Sequence, residues 1–99
     1  MARFDVFVNP QGPGYLLNVQ ADLLSHLNTR IVVPLLSRES APQSARILNP
    51  CFLVNDDALV MVTQFMAAVP VSILKFPMTN LQQRRDEVVA AVDFVMQGF

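Results

Sequence analysis

Ninety-nine residues suffice for one domain with one modest core, and a composition of 53% hydrophobic and 15% charged residues, with mean hydropathy +0.39, is apolar for such a domain. No run approaches the ~20 apolar residues that a membrane-spanning helix needs, so the surplus apolar surface is expected to be covered in a homodimer. Seven Lys+Arg against eight Asp+Glu give a net charge of -1 with no basic stripe, which argues against strong nucleic-acid binding by the chain alone.

The chain reads as one domain over residues 1–99. Its amino end, Met1-Ala2-Arg3-Phe4-Asp5, has no apolar core of a signal peptide, so none is expected. Arg3 to Val8 alternates loosely, with Phe4 and Val6 on one face. Asn9-Pro10-Gln11-Gly12-Pro13-Gly14 then forces a loop. Tyr15 to Gln20 predicts a second strand. Ala21 to Leu27 is ambiguous, because Leu23, Leu24 and Leu27 have helical spacing in too short a segment. Arg30 to Leu36 is the clearest strand; its β-branched run predicts burial on both faces, and Pro34 marks a bulge or an unpaired side.

Ser37 to Gln43 is a polar loop, and Ala45 to Leu48 predicts the start of another strand. Cys51–Val54 and Ala58–Thr63, separated by Asn55-Asp56-Asp57, predict a hairpin. Residues 64–69 break the alternation and have room for a helical turn. Val71 to Leu74 predicts a further strand, ended by Phe76-Pro77. The lone cysteine, Cys51, excludes an internal disulfide and is expected in the core, which suits a reducing cytoplasm.

From Leu81 the period changes to that of a helix. Leu81, Val88, Val92, Val95 and Phe99 form one stripe, with Val89 and Met96 at its edge. Asn80 is the expected N-cap, with Gln83 in the capping-box position, and Gly98 the expected stop. Phe94 lies off the stripe, either covered by the barrel or a partner subunit or left as an exposed anchor. Six or seven short strands and one terminal helix predict a mostly β (α+β) fold: a small, bent antiparallel sheet or barrel closed by a helix.

Chemistry is scarce. His26 has no second metal-ligand type near it, Asp56-Asp57 are explained by a turn, and Gly12-Pro13-Gly14 lacks the Lys and helix of a phosphate loop. No catalytic residue, metal site or cofactor is expected. The residues point to an oligomeric interaction protein.

Three segments and an ending carry a resemblance. Asn18-Val19-Gln20-Ala21-Asp22-Leu23-Leu24, Thr29-Arg30-Ile31-Val32-Val33-Pro34-Leu35, Met66-Ala67-Ala68-Val69-Pro70-Val71-Ser72-Ile73 and a helix closing on Gly98-Phe99 together resemble the CcdB family of bacterial toxins. The resemblance implies an SH3-like barrel of the CcdB/MazF type with one C-terminal α-helix, a homodimer, and a cytoplasmic, non-catalytic poison that traps the DNA gyrase A subunit on cleaved DNA. It implies neutralisation by a CcdA-type antitoxin that folds onto the toxin, and operon repression in which the antitoxin supplies the DNA contact. It assigns gyrase binding to Met96, Gln97, Gly98 and Phe99, antitoxin binding to Leu23, Leu24, Asp93 and Met96, and the dimer seam to Val71, Val95 and Phe99.

Two departures matter. Gln97 stands where the family has Trp, and Asp93 where it has an uncharged amide. The alternatives are a MazF-like endoribonuclease, for which Arg30 beside Thr29 is the nearest match, and a CcdB homologue whose gyrase poisoning is attenuated by Gln97.

Overall fold

The computed structural model describes residues 2–42 and 45–98. Among the described residues, seven strands run in chain order as β1 (Asp5–Val8), β2 (Tyr15–Asn18), β3 (Thr29–Ser37), β4 (Cys51–Val54), β5 (Asp57–Met61), β6 (Ala67–Pro70) and β7 (Thr79–Asn80), followed by helix α1 (Arg85–Gln97). All pairings are antiparallel. The order β4-β5-β3-β2-β1-β7, with β6 also on β3, makes one bent, nearly closed, barrel-like sheet with the helix packed into it.

β3 is the organising strand. One side pairs with β2 throughout, Leu17 opposite Val33; the other side pairs first with β6 and then with β5. Pro34 sits at this handover, where no β6 or β5 residue is opposite it, so its missing N–H disrupts neither ladder on that side. Its carbonyl accepts the Val62 amide at 2.9 Å. The expected two-sided burial also holds. Val33 and Leu35 face the main core, while Val32 faces a smaller cluster with Phe7, Leu16 and Leu74.

The main core takes alternate residues of the strands: Val6, Leu17, Phe52, Val54, Leu59 and Met61. Val88 and Ala91 insert from the helix at 0% exposure, and Val89 and Val92 flank them. The helix stripe is thus centred on Val88 and Ala91, one residue row from the Val88/Val92/Val95 line. Val95 and Phe94 are half-buried, and Met96 is exposed. Leu81 is buried as expected, but ahead of the helix.

Several sequence expectations are corrected. Asn80 does not cap the helix. It lies in β7, donates from Nδ2 to Asp5 Oδ1 at 2.8 Å, and accepts the Gln82 amide at 2.7 Å just before a 3-10 turn over Gln82–Arg84, whose N-cap position is Leu81. The helix begins after that turn with no side-chain cap, and Gln83 makes no capping box. Its first turn is instead held by Arg84 and Glu87, paired at 2.6 Å. The hydrogen bond from Arg84 holds the Glu87 carboxyl below its ordinary range and raises the Arg84 guanidinium. Both are half-exposed, so solvent screening limits what the pair contributes.

Val71–Ile73 is a 3-10 turn, not a strand. The Val71 amide donates to Asn28 O at 2.8 Å and the chain turns back immediately after β6. Cys51 is exposed, not buried. β4 ends the sheet, so its alternation buries Phe52 and Val54 and leaves Cys51 and Leu53 outside. The hairpin turn is two residues, Asn55 and Asp56, with φ of 51° and 68°. Positive φ at both matches the primed turn that suits twisted strands, and Asp57 joins β5.

Residues 46–48 form a turn, not a strand. The cause is Asn49, buried at 5% exposure. Its Oδ1 accepts the Ala45 amide at 2.8 Å, and its Nδ2 donates to Met61 O at 3.0 Å and Gln64 Oε1 at 2.8 Å. The buried Thr63 hydroxyl donates to Leu48 O beside it. Asn49→Ala is expected to cost about 2 kcal/mol, because it strands a buried carbonyl and frees the loop; a urea denaturation midpoint checks it.

Candidate functional site

The sequence-predicted contact residues fall on two exposed surfaces carried by different elements. The first is the connection between β2 and β3. Ala21 to Thr29 are all exposed, and Asp22–Leu24 form a single 3-10 turn. Leu23 projects at 90% exposure, with Leu24 at 45% and Leu27 at 41%. An apolar side chain that exposed is held out against the tendency that buries Leu16, Leu17 and Leu35.

The turn is nevertheless fixed. Within it, Leu24 N–H donates to Ala21 O and Ser25 N–H to Asp22 O, each at 3.0 Å. The Asp22 carboxylate accepts the Arg3 amide at 2.8 Å, and Arg3 Nε reaches Val19 O at 3.0 Å. Underneath lie two buried polar side chains, Gln20 and Arg30. Gln20 Nε2 donates to Leu24 O at 3.0 Å while its Oε1 accepts the Ile31 amide at 3.1 Å. Arg30 donates to the carbonyls of Ser25 and Leu27 at 2.6 Å and of Thr29 at 2.8 Å. These structural roles carry no local sequence signal, because the partners are set by the β2–β3 register.

The second surface is the end of α1. Asp93, Met96, Gln97 and Gly98 are exposed, Met96 at 72%. Gly98 ends the helix as expected: φ is 79°, and its amide donates to Phe94 O at 2.8 Å. A Cβ at Gly98 would meet no atom within 4 Å, so the left-handed backbone alone favours glycine there. The last turn carries no basic residue. The helix dipole and Asp93 therefore make this end electronegative. Phe99, assigned to both gyrase binding and the dimer seam, lies outside the described residues. Val71 and Val95, the other seam residues, are both half-buried.

No hydrogen bond among the described residues joins the turn to the helix end. A third apolar surface, not foreseen from the sequence, is a depression of about 270 Å³ lined by Phe7, Val8, Pro10, Ile73, Lys75 and Phe76. Arg30, the candidate for RNA cleavage, is buried and spent on three backbone carbonyls, so its guanidinium is not presented to a substrate. Among the described residues no group of three or more His, Cys, Asp or Glu is placed to hold a metal. None of the described helices is long and apolar enough to cross a membrane.

What the two surfaces can do chemically is bind protein: exposed leucines on a fixed turn, and a thioether, an amide and a helix stop on an electronegative end. The model of the CcdB protein family matches residues 3–98, taking in the turn, the barrel and the helix end in one alignment. The chain belongs to the CcdB family, the non-catalytic toxins of the toxin–antitoxin type.

Proposed function

We propose that this toxin is a homodimeric poison of DNA gyrase, held in check by a CcdA-type antitoxin with which it represses its own operon. The observation that carries the reading is the family match over residues 3–98 together with an exposed helix end built from Met96, Gln97 and Gly98. Apolar residues left uncovered on one chain, among them Leu53, Phe65 and Met78, favour a second copy. Val71 and Val95 are the seam residues in that dimer.

Met96, Gln97, Gly98 and Phe99 contact the gyrase A subunit; Leu23, Leu24, Asp93 and Met96 contact the antitoxin. Asp93 beside the negative end of the helix favours a basic residue on the partner. Operator DNA is reached only through the antitoxin complex, in keeping with the net charge of -1. The site of action is the cytoplasm.

Gln97 sets the strength of the poison. An amide lacks the apolar area and stacking of an indole, and an indole at an interface centre is worth ~2 kcal/mol or more, about thirtyfold in affinity. Gyrase-dependent DNA cleavage tests this. Wild type is expected to accumulate cleaved DNA, and Gln97→Trp to do so at about thirtyfold lower concentration. Absence of cleaved DNA with both proteins removes gyrase as the target; cleaved DNA only with Gln97→Trp identifies an attenuated toxin.

A further inference from the structure

A single 3-10 turn is too short to hold itself, since helical hydrogen bonding pays off only over longer runs. Yet Asp22–Leu24 is gripped from below by two side chains that are buried at 7% (Gln20) and 6% (Arg30) exposure. Gln20 uses both ends of its amide to tie Leu24 O to the Ile31 amide on β3. Arg30 gathers three carbonyls, those of Ser25, Leu27 and Thr29, into one fork.

Among the described residues that guanidinium has no carboxylate partner. Burying a cation carries a large desolvation cost that an apolar residue in the same place would not. What the cation supplies in return is local. It fixes the backbone on the far side of the turn, from Ser25 to Thr29, while Gln20 fixes the near side. Leu23 makes no contribution to the core.

We propose that Arg30 and Gln20 are positioning residues for partner recognition: they hold the β2–β3 turn in one geometry so that Leu23 and Leu24 meet an apolar groove or helix face of a protein partner without a further ordering cost. This rests on the assignment of Leu23 and Leu24 as antitoxin contacts. A turn ordered before binding spares the complex the entropy of immobilising it. Arg30 acts through the turn and does not touch the partner.

The test uses the full chain and two readouts: amide hydrogen exchange, and titration with a CcdA-type antitoxin. Arg30→Met is expected to speed exchange at Leu24, Ser25 and Leu27 by about tenfold or more, with little change in the slowest amides of β3 and β5. Antitoxin binding should weaken about tenfold, and added guanidinium should restore both in part. Arg30→Lys, which keeps the charge but not the fork, should fall between. Leu23→Ala should weaken binding and leave the exchange of the turn unchanged.

Exchange that is unchanged in Arg30→Met, or that rises equally over the whole sheet, overturns the proposal. If Arg30→Met does not fold, Gln20→Ala releases the Leu24 carbonyl and the Ile31 amide and leaves the Arg30 fork in place, and the same local rise is required of it. An antitoxin that fails to bind wild type removes the contact assignment, while the exchange result still decides whether Arg30 and Gln20 order the turn.

Discussion

Val88→Asp is expected to leave the chain unfolded at pH 7. Val88 is 0% exposed and packs into the cluster of Phe52, Leu81 and Ala91 that joins helix to barrel. Removing its methyls forfeits about 1.5–2 kcal/mol of burial, and an unpaired carboxylate in that site adds several kcal/mol. Together these approach the ~5–15 kcal/mol by which a whole domain is stable. The effect has a definite pH dependence. An apolar site raises the folded-state pKa of the new carboxyl above its unfolded value of ~3.9. The destabilisation is therefore full above the raised folded pKa and fades as pH falls through it. Circular dichroism at pH 7 and pH 5 checks both parts: little structure at the first, partial recovery at the second. Val88→Ala, which leaves only a cavity, should fold at both.

Gly14→Ala is expected to cost about 2–4 kcal/mol, from a steric conflict added to a backbone penalty of ~1–2 kcal/mol. Gly14 has φ of 80°, and a Cβ there would collide with the Leu35 carbonyl oxygen, which is backbone of the central strand and has no rotamer to give. The next residue, Tyr15, pairs with Leu35, so relief of the clash moves the start of the β2–β3 ladder. The loop itself offers little slack, with the Asn9 amide bonded to Gly14 O at 3.2 Å. Gly12→Ala is the control: its Cβ would meet only the Asn9 side chain at 3.6 Å, an ordinary contact. Thermal melts of the two variants should differ by several degrees or more in the midpoint.

These two positions show what the sequence makes legible and what it hides. The loose alternation of β1, the β-branched run of β3, the turn residues Asn55 and Asp56 between two apolar runs, the Pro and Gly of the first loop, and the period of the terminal helix are local patterns, and each led to the observed element. Val71–Leu74 has the composition of a strand but follows Pro70 at the end of β6, where the path of the chain requires a turn; tertiary need overrides a weak β preference there. Cys51 misled for a different reason. An unbroken apolar run does not disclose which residues face out when the strand ends a sheet.

The buried polar residues were the least accessible. Asn49 finds its partners on β5 and beyond it, at Met61 and Gln64, and Arg30 finds carbonyls before its strand. Nothing in residue type separates such roles from a surface amide or a catalytic arginine. Arg30 is the clearest case, since sequence made it the nearest match to an RNA-cleaving arginine and structure spends it on the carbonyls of Ser25, Leu27 and Thr29. The candidate surfaces were legible mainly through resemblance, because an exposed leucine and a helix stop are common features and acquire meaning only in the order in which this family arranges them.

The central claim, that this toxin works by lodging its helix end in gyrase, is tested most directly by the tail itself. Purified gyrase, supercoiled DNA and ATP are incubated with wild type or with a chain ended at Gln97, then denatured and the DNA resolved. The account predicts linear DNA with wild type and none with the shortened chain, while both keep the same thermal midpoint. Linear DNA in equal amounts with both, or with neither, would contradict it.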